Sequence, residues 1–395
     1  MTVSPAPADR ATPGAPALGG SRWLAALAAI VPAILLYLFL GAESERWLAA
    51  LLVTTVVAAI VASRAGLLAP VTRAAAASER FTGVVATAAV VAIVLALHDD
   101  HFSLLLLARV LLTIVACLGL HMQFGMAGVV NFAGAAFFGV GGYTAAVLAA
   151  HGVPHLLVLV ASGLMAAGIG SVLLLPLLRT RGHYAALITI AFALLFRTFL
   201  EVNDSLGGPQ GLKLSGLEIA GWRLGETRSF GTFEVSLYVW YVLAAYLLLA
   251  LSFALVRRLE TSWVGLAFDA VRLDETAAAC FGIVAPRWKI AAFTLGNFVT
   301  GVAGALSAMM VGFIAPNNFT FRESLVFVSI ILLGGIGNAW GLVVASFIVV
   351  ALPEKLQGIQ EYRFLLFSAI VILVLLFRPG GLVRRSLRQH FGGVA

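Results

Sequence analysis

The residues of this chain that could do acid–base chemistry stand outside its long apolar segments. All 18 aspartates and glutamates of the 395-residue sequence fall in polar connections or at the ends of apolar runs. Proton-driven carriers need an ionisable group deep in the membrane that binds and releases the proton. Since the apolar runs offer no carboxylate, the sequence argues against a proton-driven carrier. Arg109 and Arg197 are the charged residues well within these runs.

The sequence HDDH, residues 98–101, consists of residue types that bind metal ions. Four consecutive residues in a short turn rarely converge on one ion, so we interpret this segment as a solvated turn and predict no metal site. The sequence contains no GxxxxGK[ST], GxSxG or HExxH motif. We therefore predict no catalytic residue and no cofactor in this chain. Energy for uphill transport must then come from a partner or from a sodium gradient.

The composition is typical of a membrane protein. Hydrophobic residues make up 61% and charged residues 11% of the sequence, whereas a soluble domain is nearer half apolar and a quarter charged. Repeated apolar runs without a strand-like alternation predict helices and not a β-barrel. The predicted fold class is an all-α polytopic membrane protein, a bundle of about 10 to 12 transmembrane helices with broken or re-entrant segments.

The candidate spans are residues 23–40, 47–62, 81–97, 103–121, 132–149, 155–178, 184–202, 233–256, 288–312, 324–335, 341–356 and 364–377. The segments 324–335 and 341–356 are short, so they are interpreted either as two spans or as a re-entrant pair.

The distribution of Lys and Arg predicts the orientation of these spans. With the N-terminus inside, most basic residues fall on the cytoplasmic side, as the positive-inside rule requires. Both termini and the loop 257–289 are then cytoplasmic, and the loop 203–232, which could hold a short helix or cover a pore mouth, is outside. Basic cytoplasmic loops account for the formal charge of +7, so no nucleic-acid partner is predicted. Cys117 and Cys280 are not expected to form a disulfide.

The segment GLHMQFGMAGVVNFAGAAFFGVGGY, residues 119–143, is apolar yet rich in glycine. Glycine in a helix interior costs about 1 kcal/mol relative to alanine, so these glycines require a structural reason. Two compatible interpretations stay open: close packing of helix backbones, or a helix break beside a solute path, with backbone groups exposed near Asn131. The candidate residues of the translocation path are Gly125, Gly128, Asn131, Gly134, Phe137, Gly139 and Arg197. Arg197 has an alternative role, pairing with Glu201 four residues later on the same helix face.

The longest cytoplasmic loop, residues 257–289, contains a helix signal. Thr261 or Ser262 can cap the helix and Gly282 can end it, so one helix over about 262–282 is predicted. Its polar face carries more acidic than basic residues, namely Asp269, Asp274 and Glu275 around Arg272. An acidic face suits a protein partner better than anionic lipid headgroups.

These segments together resemble the permease subunits of branched-chain amino acid ABC importers, the LivM-like family. GLAFDAVRLDETAAACFGI (265–283) resembles the family's cytoplasmic loop, and QFGMAGVVNFAGAAFFGVGGYTAA its glycine-rich early core segment. RTRGHYAALITIAFALLFR, SLGGPQGL, LGGIGNAWGLVVAS and LLFRPGGL are similar to further family segments, so the resemblance covers most of residues 103–382. The sequence departs from the family at 131–134, where Ser-x-Gly-His or Ser-x-Gly-Gln is frequent, and at Leu266 and Asp269, where arginines are usual.

The resemblance implies a transporter subunit, not an enzyme, of an ATP-driven importer for branched-chain or related amino acids in the bacterial inner membrane. The implied partners are a second permease subunit, two ATP-binding cassette subunits that hydrolyse ATP, an extracytoplasmic solute-binding protein and the lipid bilayer. The ATPases are implied to drive alternating access through a cytoplasmic docking helix. Its candidate residues are Gly265, Ala270, Arg272, Asp274, Glu275, Ala277, Ala278 and Gly282.

The predicted organisation follows from the Pro/Ala/Gly-rich composition of the N-terminus, from the apolar runs and from the extent of the resemblance. Residues 1–22 form a disordered cytoplasmic tail, 23–100 extra transmembrane helices, 101–382 the permease core with its docking loop 257–289, and 383–395 a cytoplasmic tail. Two alternatives stay open: a sodium-coupled secondary carrier that works without an ATPase, and the same ABC architecture importing urea, amides or aromatic acids.

Overall fold

The computed structural model describes residues 18–42, 44–64, 70–71, 74, 78–178, 183–219, 222–223, 228–230 and 233–355, together with 365, 368–369, 372, 376 and 380–382. The predicted C-terminal tail, most of the predicted N-terminal tail and most of the predicted span 364–377 lie outside the described residues. Two compact units make up the chain, residues 1–97 and residues 98–395.

The first unit consists of helices formed by three of the predicted apolar runs. These are α1 (Leu18–Leu40), α2 (Glu45–Arg64) and α3 (Glu79–Ala96). Helices α1 and α3 pack against each other. Large apolar side chains on both helices, such as Trp23 and Val84, stay exposed, as expected where lipid is the solvent.

The second unit is a bundle of apolar helices with short connections. Its helices are α4 (His101–His121), α5 (Gly134–Ala150), α6 (His155–Leu177), α7 (His183–Val202), α8 (Leu237–Glu260), α9 (Trp263–Leu273), α10 (Glu275–Cys280), α11 (Ala285–Val311), α12 (Phe321–Gly334), α13 (Ala339–Ser346) and α14 (Leu352–Lys355). A π-helical turn, Met122–Met126, continues α4, and a second one, Phe347–Ala351, joins α13 to α14.

Six helices within the described residues are long and apolar enough to cross a membrane. They are Arg22–Leu40, His101–Met126, His155–Leu177, Tyr184–Val202, Leu237–Glu260 and Ala285–Val311. The predicted class, an all-α polytopic membrane protein, is confirmed. Helix α12 has 14 residues, fewer than the roughly 20 of a full crossing. It is followed by a turn in which Gly335 and Gly337 take positive φ, as expected of a broken segment.

Two short 3-10 helices, Asp204–Leu206 and Gly208–Gln210, follow α7 on the predicted outer side, and short strands come after them. Strand β1 (Leu212–Lys213) pairs antiparallel with β6 (Phe313–Ile314), so this connection is tied to the segment after α11. Two hairpins are formed by β2 (Glu218–Ile219) with β3 (Trp222–Arg223) and by β4 (Arg228–Phe230) with β5 (Phe233–Val235). The predicted start of a span at residue 233 is therefore wrong, because 233–235 lie in β5 and Ser236 caps α8.

Two side chains cap the first turns of α4 and α8, and one of them, Ser236, joins these turns. The Asp100 carboxylate accepts from the Ser103 backbone N–H at 3.0 Å, and the Ser236 hydroxyl contacts the His101 ring. Partial burial raises the pKa of Asp100, but the hydrogen bonds from Ser103 and the positive charge of Lys355 outweigh it, so the pKa lies below its usual value. In the HDDH segment, these side chains fix helix starts, and His98 pairs with Asp99 at 3.1 Å.

Glycine brings the backbones of α4, α5, α6 and α11 into direct contact. A Cβ on Gly141 would overlap the Gly301 carbonyl, and a Cβ on Gly304 would overlap that of Phe138. Gly119 and Gly296 face each other in the same way between α4 and α11. Such small-residue contacts are typical of helix association in lipid, where packing supplies the attraction. The packing interpretation of the glycine-rich segment therefore agrees with the structure.

Candidate functional site

The predicted docking helix is two helices, and the prediction of one helix over 262–282 is wrong. Asp274 lies between α9 and α10 with an extended backbone, φ −157° and ψ 111°. Its carboxylate accepts from the backbone N–H groups of Thr276 at 2.8 Å and Ala277 at 3.1 Å. This N-cap satisfies donors that a new helix leaves open, so Asp274 ends α9 and starts α10. Gly282 follows α10 with φ 78°, the conformation of a helix-ending glycine.

One side of this helix pair packs against the transmembrane bundle. Val271 and Ala278 form a buried cluster with Ala285 at the start of α11, and Ala270 packs against that cluster. A Cβ on Gly265 would lie 2.5 Å from the Leu259 carbonyl oxygen at the end of α8. Three predicted docking residues, Gly265, Ala270 and Ala278, therefore hold the pair against the bundle.

Arg272 is also turned toward the bundle. Its Nη1 donates to the Gly125 carbonyl in the π turn at 2.6 Å. Gly128 has φ 70°, and a Cβ there would lie 3.3 Å from the Arg272 Cγ. Gly125 and Gly128, which were predicted for the translocation path, therefore contact Arg272.

The opposite side of the pair is open and carries two large apolar side chains. Leu273 is 83% exposed and Phe281 is 86% exposed. The acidic residues predicted for docking lie between them in the chain, with Glu275 paired to Lys289. We call this side the docking surface; it comprises Leu273, Asp274, Glu275, Ala277 and Phe281, all exposed. The sequence analysis identified the acidic residues but missed Leu273 and Phe281. Neither of these two residues lies on the alanine-rich side that packs against the bundle.

The predicted path residues on α5 lie in helix contacts. Phe137 is buried and stacks on Phe192 with ring centroids 5.1 Å apart. A Cβ on Gly134 would lie 2.6 Å from Leu120, and one on Gly139 would lie 2.8 Å from Phe196. A role of these residues in a solute path stays a prediction.

Asn131 belongs to a chain of three buried amide side chains. Its Nδ2 donates to Gln123 Oε1 at 2.7 Å, and Gln123 Nε2 donates to Asn297 Oδ1 at 2.8 Å. All three side chains are fully buried. We call them the amide chain; it joins the π turn, the break before α5 and helix α11. The sequence analysis missed Gln123 and Asn297, although amides within apolar runs are the available signal.

The two arginines within the apolar runs are both paired. Arg197 Nε donates to Glu201 at 2.8 Å, and its Nη2 donates to Asn317 at 3.3 Å. The pairing that the four-residue spacing predicted is therefore present. Arg109 donates to Glu354 at 2.8 Å.

A buried histidine and glutamate meet at the C-terminal ends of α4 and α8. His121 Nε2 lies 3.6 Å from Glu260 Oε1, with Arg257 at 3.8 Å from the same carboxylate. Sequence analysis placed both residues at span ends and gave them no role. A Cβ on Gly125 would lie 2.6 Å from His121 Nδ1, so the His121 ring packs closely against the π turn.

Comparison with known protein families decides what this architecture belongs to. Residues 102–376 match the model of the branched-chain amino acid transport system permease component. The chain belongs to this permease family.

Named relatives of this permease come from bacteria and an archaeon. It is 33% identical over 291 residues to the high-affinity branched-chain amino acid transport system permease protein LivM of Escherichia coli K12, covering 70% of this chain and 68% of the relative. It is 25% identical to the LivH permease protein of Salmonella typhimurium, covering 68% of this chain and 90% of the relative. It is also 25% identical to a probable LivM of Methanocaldococcus jannaschii, covering 72% and 93%. No solved structure matches this permease.

The family match explains why the sites of this permease contain so few charges. A permease moves a solute across a membrane and does no covalent chemistry on it, so it requires no cluster of charged catalytic side chains. The match includes the docking surface, the amide chain and both paired arginines, all of which lie between residues 102 and 376.

Proposed function

We propose that this permease is the membrane-spanning subunit of an ATP-driven importer of branched-chain amino acids, and that ATPase subunits drive it through α9 and α10. The supporting observation is the docking surface. Leu273 and Phe281 are among the most exposed large apolar side chains of the described residues, on a loop that the basic residues assign to the cytoplasm. Exposure of apolar side chains to water is unfavourable, so binding of a partner protein that covers both side chains lowers the free energy.

The acidic residues of the docking surface specify the kind of partner. Asp274 and Glu275 lie between Leu273 and Phe281 in the chain. The matching surface on the ATPase is therefore a hydrophobic groove with basic residues at its rim. Charges at a rim steer association and fix register more than they add affinity. Leu273 and Phe281 therefore supply most of the binding affinity.

The proposed substrate follows from the family and from the described spans, whose carboxylates, Glu201 and Glu260, lie at span ends. A branched-chain amino acid is neutral overall at pH 7, and a path without fixed carboxylates holds it weakly. Selectivity then resides in an extracytoplasmic binding protein. The complete proposed importer contains this chain, a second permease, two ATPases and that binding protein, in a bacterial inner membrane with both termini cytoplasmic.

Reconstitution in proteoliposomes tests the proposal. The complete set of subunits is expected to accumulate radiolabelled leucine against its gradient with ATP inside, and to stop when the ATPase carries an inactivating substitution in its phosphate-binding lysine. Uphill uptake by this chain alone, driven by a sodium gradient, would show a secondary carrier instead. Competition by unlabelled valine, urea, acetamide and phenylalanine distinguishes the solute classes.

Thiol labelling tests the orientation. Cys280 is exposed in α10, whereas Cys117 is buried in α4. A membrane-impermeant maleimide is expected to label the chain in inside-out vesicles and not in right-side-out vesicles. Cys280→Ser should abolish the signal. Labelling of Cys280 from the outside would reverse the topology and remove the docking surface from the ATPase side.

A further inference from the structure

The π turn Met122–Met126 lies between the docking helices and the amide chain. From the cytoplasmic side, Arg272 at the end of α9 donates to the Gly125 carbonyl at 2.6 Å. Gln123, two residues earlier in the same turn, holds both of its neighbours in the amide chain. A single five-residue turn is therefore bonded to both sites. π-Helical turns within α-helices are frequent at functional positions.

The direction of the amide chain is fixed by backbone groups at both ends. The Ala133 N–H can only donate, and it donates to Asn131 Oδ1 at 2.8 Å, so Asn131 Nδ2 must be the donor toward Gln123. The Phe293 carbonyl can only accept, and Gln123 Nε2 lies 3.4 Å from it. Every amide orientation follows, and Asn297 presents its Nδ2 as a buried donor without a hydrogen-bond partner among the described residues. A change at Gln123 therefore affects Asn131 and Asn297 together.

We infer that Arg272 and Gln123 are positioning residues that carry the movement of the docking helices to the membrane core. The inference rests on the proposed function and adds the route of coupling. A displacement of α9 moves the Gly125 carbonyl through Arg272. The π turn then shifts Gln123, which releases or restores its two amide bonds. These bonds join neutral groups, so they open and close with less desolvation than a buried ion pair.

Three variants of the reconstituted importer test this route. Arg272→Gln removes the guanidinium from Gly125, Gln123→Met removes the amide at similar side-chain length, and the third variant combines them. Each single variant is expected to co-purify with the ATPase and hydrolyse ATP, but to use about tenfold more ATP per leucine transported. Because both substitutions interrupt one route, the double variant should be no worse than the more affected single variant.

Arg109→Gln is the matched control. It makes the same substitution on α4, where the guanidinium pairs with Glu354 outside the π turn, and it should leave the ATP used per leucine unchanged. Arg272→Lys retains a donor and should restore part of the coupling lost in Arg272→Gln.

Each other outcome overturns the inference. If Arg272→Gln or Gln123→Met leaves the ATP used per leucine unchanged, the route is excluded. If the effects of the two substitutions multiply in the double variant, the two residues have independent roles. Loss of ATPase co-purification in Arg272→Gln would make this residue part of the docking contact. If Arg272→Gln does not fold, Gln123→Met and Arg272→Lys decide alone, since wild-type coupling in Gln123→Met excludes the route. Failure of the wild-type importer to use ATP at all is a different result, because it contradicts the proposed function.

Discussion

Gly304→Leu is expected to yield no folded permease, and Gly304→Ala to yield a markedly less stable one. A Cβ on Gly304 would overlap the Phe138 carbonyl oxygen and lie 2.7 Å from the carbonyl carbon. The obstacle is backbone, which cannot rotate away as a side chain can. Overpacking of this kind costs about 3 kcal/mol even for alanine, a large fraction of a typical folding free energy.

Thermal unfolding in detergent measures this effect, with fluorescence-detected size exclusion as the readout. Gly168→Ala is the matched control, because nothing lies within 4 Å of a Cβ at Gly168. This substitution should leave the melting temperature unchanged or raise it slightly, since alanine favours helix over glycine. Equal melting temperatures for Gly304→Ala and Gly168→Ala would contradict the backbone contact between α5 and α11.

The double variant Leu273→Ala/Phe281→Ala should lose ATPase binding while folding normally. Burying each side chain stabilises a complex by about 1.5 to 3 kcal/mol. Losing both costs about 3 to 6 kcal/mol, which weakens binding about 100-fold or more. Because both residues are exposed in this chain, its own melting temperature should stay near that of the wild type.

Co-purification of the tagged permease with its ATPase gives the readout. The control variant Leu157→Ala/Leu164→Ala shortens two α6 side chains that are each 60% exposed, on a face that the predicted topology assigns to lipid. ATPase recovery equal to wild type in Leu273→Ala/Phe281→Ala would refute docking at this surface. A loss in the α6 control as well would show that the assay reports general damage.

The helices were predictable from the sequence because the bilayer requires them. An apolar run of sufficient length must satisfy its backbone hydrogen bonds internally, and so α6, α8 and α11 fall near their predicted positions. The break in the docking helix was harder to predict, since Asp274 lies within a run that otherwise favours helix. An aspartate can lie on the surface of a continuous helix or cap the start of a new one. Only the tertiary packing of α10 decides that Asp274 is a cap.

The amide chain as a whole could not be predicted, because Asn297 is distant in sequence from Gln123 and Asn131. Gln123 and Asn297 are 174 residues apart, and neither has a neighbour in sequence that suggests a partner. The glycines show the same limit. Their number indicated close packing, but which helix each one contacts depends on the tertiary arrangement, as the Gly141–Gly301 contact illustrates.

The glycine contacts also restrict where this protein can bend. Helices α4, α5, α6 and α11 touch through their backbones, and such surfaces cannot slide without collision. These four helices are therefore expected to travel as one rigid body during each transport cycle. Hinges must then lie outside this body, at Gly312, which ends α11 with φ of 72°, and at Gly335 and Gly337, which follow α12 with φ of 105° and 95°.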